Sequence, residues 1–309
     1  MNPVLRLLHW CADHGRWFLV AGLATGMASE TAALFLRDYI PELAVCLLFL
    51  AAFRVGPKAA IGAAMDFRRA LIFVILLQVI LPVCLFFIFK SLGWTGNLPS
   101  AIALLSAGAS VSAAPHLAVM SGHAPAPGLR LLVLGTALLP ITIIPILWLL
   151  PQFGDAASVL GASAKLFAVI ALSASVAFVL RHYAFPKANE KLIKAVDGLS
   201  GVFLYLIVVG LMAAVAPAIW TDLSLFFTTL LAAFAINFGL QLFFFLALKG
   251  ERFKTDRVPF SIISGNRNMA LFLTALPVSV TDPMLLFIGC YQIPMYLTPI
   301  LLGRIYRKL

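Results

Sequence analysis

Residues 259–277 read PFSIISGNRNMALFLTALP, and the arginine in the middle of this apolar run decides how the chain is read. A charged side chain at the centre of a membrane helix costs roughly 2.5–3.5 kcal/mol even on the lenient insertion scale. Arg267 is flanked by Asn266 and Asn268 and preceded by Gly265, all poor helix-interior residues. The segment is therefore expected to break where the charge sits. At 1.5 Å per residue, Arg267 lies about 14 Å into its span, near the middle of a ~30 Å hydrocarbon core.

The surrounding composition supports a membrane reading. Of 309 residues, 62% are hydrophobic and 11% charged, where a soluble domain carries about 25% charged residues. Mean hydropathy is +1.05. The four cysteines, Cys11, Cys46, Cys84 and Cys290, are dispersed with no CxxC or His/Cys cluster. They read as small apolar residues, so neither a disulfide framework nor a metal site is expected. The first apolar run lacks a small-residue cleavage site and reads as a retained helix.

Windows of about 20 apolar residues give ten spans. They cover 17–36, 40–56, 70–89, 99–120, 128–150, 162–181, 198–219, 224–247, 258–280 and 284–303, the second with a turn continuing to Met65. With ten spans both termini share one side. Of the 22 Lys and Arg residues, all but Arg37, Lys90, Lys165 and Arg267 then fall on that side. So strong a bias makes it the cytoplasmic side of the cell membrane. The net charge of +10 is thereby explained by topology, and no nucleic-acid partner is expected.

A weak internal repeat links the two halves. Pro140-Ile-Thr-Ile-Ile-Pro145-Ile-Leu in span five matches Pro294-Met-Tyr-Leu-Thr-Pro299-Ile-Leu in span ten. The same offset lays Ser110 on Ser264, Ser112 on Asn266 and Ala113 on Arg267, so the small-residue stretch Leu104–His116 becomes the counterpart of the opening segment. Five spans per half is an odd number, which makes the halves inverted repeats, the architecture of secondary transporters with paired broken helices. The expected fold is thus an all-α polytopic membrane protein of ten transmembrane helices, built as two inverted five-helix repeats. Spans 4 and 9 would be the broken pair.

Asp66-Phe67-Arg68-Arg69, the following Leu76-Leu77-Gln78-Val79-Ile80-Leu81-Pro82, the glycine- and serine-rich span four and Arg267-Asn268 in span nine together resemble the bile acid:sodium symporter family, within the bile-acid, arsenite and auxin-efflux carriers. The resemblance covers nearly the whole chain. It implies that the broken helices 4 and 9 cross, and that a core domain of spans 3–5 and 8–10 moves against a panel domain of spans 1, 2, 6 and 7, with organic anions carried alongside sodium. The family's sodium residues map poorly. Ile263 stands at the family's glutamate, Arg267 at its glutamine, and Ala113-Ala114 near its Ser-Asn pair, leaving Gln78 and Asn268 as matches. A guanidinium about 5 Å from sodium would oppose it by roughly 3 kcal/mol at an effective dielectric of 20. Sodium coupling is not expected, and no other cofactor is implied.

Each candidate residue carries a structural reading beside a functional one. Arg267 either caps carbonyls orphaned at the break, in place of a bound cation, or holds an anionic solute. Ser112 and one of Asn266 or Asn268 would cap the half-helices that follow, with Pro115 tolerated in a first turn. The two half-helix N-termini would then favour an anion at the centre. His116 is a packing or capping residue, or couples a proton. Glu30 reaches the interface, or belongs to a proton relay. Gln78, Asn237 and Gln241 suit interhelical hydrogen bonds first and site lining second; Tyr291 and Gln292 lie near the middle of span ten.

A carrier for a small organic anion is the leading function, with Arg267, Asn266, Asn268, Ser112, Gln78 and His116 binding the solute and His116 or Glu30 coupling. An auxin-efflux-type exporter and a sodium-coupled organic-anion symporter are the alternatives. No HExxH, second intramembrane acid or Ser/Lys pair supports an intramembrane enzyme. No single residue excludes a channel or receptor module. Solute, direction and oligomeric state are not legible.

Overall fold

In a bilayer, backbone amides must find partners within the chain, which favours helices. The computed structural model describes residues 3–65, 68–153 and 155–307, and these are helical almost throughout. Asp66 and Phe67 of the DFRR segment lie outside the described residues.

Among the described residues, six helices are long and apolar enough to cross a membrane. In chain order the helices are α1 (Pro3–Asp13), α2 (Gly15–Ala28), α3 (Glu30–Arg37), α4 (Ile40–Val55), α5 (Pro57–Met65), α6 (Arg68–Ser91), α7 (Asn97–Ala107), α8 (Ala114–Met120), α9 (Ala126–Leu149), α10 (Ala156–Tyr183), α11 (Glu190–Thr221), α12 (Leu223–Ala247), α13 (Arg257–Gly265), α14 (Ala270–Ala275) and α15 (Val278–Tyr306). The six are α6, α9, α10, α11, α12 and α15. The chain is therefore all-α with the character of a multi-pass membrane protein. A seventh crossing is available if α4 and α5 count as one span, bent by 82° at Gly56, whose φ of 74° suits glycine.

The stretches expected as spans four and nine do break, each into two short helices. Span one was expected to be continuous and is not. Ser29 leaves the helical region, and its hydroxyl accepts from the Ala32 amide at 3.3 Å, starting α3 afresh. Glu30 is the exposed first residue of that helix, where a carboxylate complements the N-terminal dipole.

Helix α11 packs against α1, α2, α3 and α4, while α10 packs on α4. Helix α12 packs against α13 and α15, and α6 lies beside α9. The α1–α11 contact is close: a Cβ on Gly198 would sit 1.9 Å from the Leu8 carbonyl oxygen. An ion pair from Lys194 to Asp13 at 2.7 Å closes the end of that pair.

Candidate functional site

The two breaks meet. After α7 the backbone extends as β1 (Ala109–Ser110), and after α13 as β2 (Arg267–Asn268). They pair antiparallel, Ala109 opposite Asn268 and Ser110 opposite Arg267. The Val111 amide adds a bond to the Asn266 carbonyl at 3.1 Å. Ala109, not Ala113, holds the position in its break that Arg267 holds in the other. The proline-based offset therefore misaligns the breaks, because the chain between break and prolines differs in length in the two halves.

Arg267 is 3% exposed, and its guanidinium donates to carbonyls of three separate segments. Nε reaches Ser264 at 3.2 Å, Nη1 reaches Gly108 at 3.1 Å and Nη2 reaches Leu77 at 3.4 Å. Each acceptor lacks a helical donor for a traceable reason. Ser264 precedes the end of α13, so the amide four residues on has already left the helix. Gly108 lies in the first break. Leu77 sits in a π-helical turn, Leu76–Ile80, where the Leu81 amide bonds back to Leu76. In that register the donor for Leu77 would be residue 82, a proline without an N–H. LLQVILP thus leaves an orphan carbonyl, and the arginine of the second break fills it.

A polar network braces the other side of the break. Asn237 and Gln241, one turn apart on α12, are fully buried. Asn237 Nδ2 donates to the Gly265 carbonyl at 2.6 Å, which also accepts from the Tyr291 hydroxyl. Gln241 Nε2 donates to Asn237 Oδ1 at 2.6 Å and to Thr298 Oγ1 at 3.0 Å. Thr298 donates to Asn266 Oδ1 at 3.4 Å, and the Tyr306 hydroxyl donates to Gln241 Oε1 at 3.0 Å. The amides of α12 are interhelical ties, as their spacing suggested. Thr298 and Tyr306 were not anticipated; the only sequence signal was that Thr298 immediately precedes a motif proline.

The remaining candidates divide. Asn268 Oδ1 accepts from the Ala270 amide at 3.2 Å, closing the start of α14. Asn266 instead donates to Ile262 at 2.7 Å, behind it in α13. Ser112 does not cap α8: the Ala114 amide is taken by the Val111 carbonyl at 3.0 Å, a backbone turn in place of a side-chain cap. Pro115 does occupy the first turn. Gln78 is buried and turned toward α9, donating to Gly135 at 3.1 Å and accepting from Thr142 at 2.7 Å. His116 is exposed on α8, without a hydrogen bond among the described residues. Gln292 bonds within its own helix.

Among the described residues, no group of three or more His, Cys, Asp or Glu side chains gathers to hold a metal ion. A cleft of about 490 Å³ opens between Met120 and the end of α15, and one of about 260 Å³ lies beside Trp148 and Asp155; Arg267 lines neither. Compared with protein-family models and with curated proteins, the chain matches none.

Proposed function

We propose that the protein is a secondary carrier of a small organic anion, working by alternating access around the crossing of the two broken helices. In this reading the chain crosses the cell membrane ten times, as two inverted five-span repeats with both termini cytoplasmic. A core of spans 3–5 and 8–10 moves against a panel of spans 1, 2, 6 and 7, as in the bile acid:sodium symporter family that the sequence resembles. The observation that carries the proposal is the antiparallel pairing of β1 with β2 around a buried arginine. Broken helices that cross at mid-membrane are how secondary transporters expose backbone and charge to a solute.

Arg267 has five N–H donors, and its three carbonyl partners leave donors for a carboxylate. No Asp or Glu among the described residues pairs with it. A carboxylate about 4 Å away would gain roughly 4 kcal/mol at an effective dielectric of 20. The half-exposed Asn268, in β2, and Ser112, two residues after β1, are the polar groups a solute would meet beside Arg267. Sodium would compete with the guanidinium for the same carbonyl oxygens, which favours coupling to a proton, to an exchanged anion or to nothing.

Uptake of small carboxylates into proteoliposomes tests this. Arg267→Gln, confirmed as folded by a monodisperse elution profile, should abolish uptake. Replacing external sodium with potassium should leave the wild-type rate unchanged. Undiminished anion uptake by Arg267→Gln would sink the solute role, and a steep sodium dependence would sink the coupling assignment.

A further inference from the structure

The cleft at the end of α15 is lined by Met120, Pro299, Ile300, Arg304 and Arg307. We infer that it is a binding site for an anionic phospholipid, with the two guanidiniums on the headgroup phosphate and the acyl chains along the apolar wall. The two arginines are three residues apart and so share a helix face. Both are exposed, and neither has an acidic partner among the described residues. Other basic side chains of the protein do: Arg37 pairs with Asp282, Arg54 with Asp197, Arg69 with Asp256 and Lys194 with Asp13.

Arginines placed only to anchor a helix end can point anywhere around its circumference. These two border one cleft together with Met120, the last residue of α8. Guanidinium forks match phosphate geometry, and basic pockets between membrane helices suit anionic headgroups. The wall leading away from the arginines is apolar and open. Ile300 is 56% exposed and Met120 38%, surface that favours hydrocarbon over water. A soluble anion would gain nothing from that wall; a lipid gains from both ends.

The cleft's residues are chain neighbours of the network at the crossing. Tyr306, between the two arginines, is fully buried. Its hydroxyl reaches Gln241, and its carbonyl accepts from His123 Nε2 at 2.9 Å. A headgroup held here would steady the segment that braces Asn266 through Gln241 and Thr298. The site requires a bilayer around the helices but no particular transported solute.

Thermal unfolding of the full chain in neutral detergent tests the site. Added phosphatidylglycerol at about a hundred times its dissociation constant should raise the midpoint by about 5 °C. Phosphatidylcholine, and glycerol 1-phosphate at the same phosphate concentration, should leave it unchanged. The rise should vanish in the Arg304→Gln/Arg307→Gln double variant, and in Met120→Glu, which sets a carboxylate in the same cleft against the headgroup while keeping both arginines. A rise that persists in either variant, or that phosphatidylcholine matches, would overturn the site. An equal rise with glycerol 1-phosphate would overturn the lipid as its occupant.

Discussion

Arg267 makes energetic sense as a cation tethered inside the protein. Burying a guanidinium is costly, and the return comes from hydrogen bonds to three carbonyls that the fold leaves without helical donors. Bonds to a charged group contribute about 1.5–3 kcal/mol each, and a buried carbonyl stripped of its donor costs about 1–3 kcal/mol. Arg267→Ala should therefore lower thermal stability by several kcal/mol in total. Guanidinium at sub-denaturing concentration should restore part of the loss in that variant and none in the wild type. Arg267→Lys should recover less than free guanidinium does, because a single ammonium cannot face three separated carbonyls. An alanine variant as stable as the wild type would show that the three bonds contribute nothing net. The charge itself was plain from sequence. Its partners were not, because Ser264, Gly108 and Leu77 meet only after two distant breaks cross.

At the scale of elements, the crossing is held by a close approach between α12 and α13. A Cβ on Gly265 would meet the Asn237 carbonyl oxygen at 2.2 Å and Gln241 Cγ at 2.6 Å. Backbone cannot give way as a side-chain tip can, so Gly265→Ala should cost about 1–3 kcal/mol as the two helices part. Gly239→Ala, on α12 where an added Cβ meets nothing within 4 Å, should be neutral or stabilise by up to about 1 kcal/mol. Equal melting points for the two variants in detergent would remove the contact from the account. Much at this scale was legible from local chemistry. Gly265, Asn266 and Asn268 announced the second break, and the one-turn spacing of Asn237 and Gln241 announced a tie between helices. The division of span one was missed because hydropathy averages across Ser29-Glu30, although a serine followed by an acidic residue is an N-terminal signal. The π turn at Leu76–Ile80 was hidden for another reason. Its spare carbonyl is tolerable only because Arg267 arrives from the other half of the chain.

For the whole molecule, the informative contact is the ion pair between Arg37, at the end of α3, and Asp282, in the turn near the start of α15. The partners approach to 2.5 Å with side chains 33% and 39% exposed. In the carrier reading Arg37 belongs to the panel and Asp282 to the core, so the pair ties the two bodies together. It lies near the start of α15, whereas the Arg304–Arg307 cleft lies at its end. A pair this exposed contributes about 1 kcal/mol at most, too little to decide whether the protein folds. Applied to two conformations of similar energy, the same 1 kcal/mol changes their ratio about fivefold. Arg37→Asp and Asp282→Arg should each change the transport rate by up to about threefold and move the unfolding midpoint by only about 2 °C. The double exchange should return the rate toward wild type, and raised salt should shrink all three effects by screening. If the double exchange transports no more like wild type than the single variants do, the pair does not bias the two conformations. The packing of α4 on α14 and of α11 on α15 would then hold the panel against the core without it.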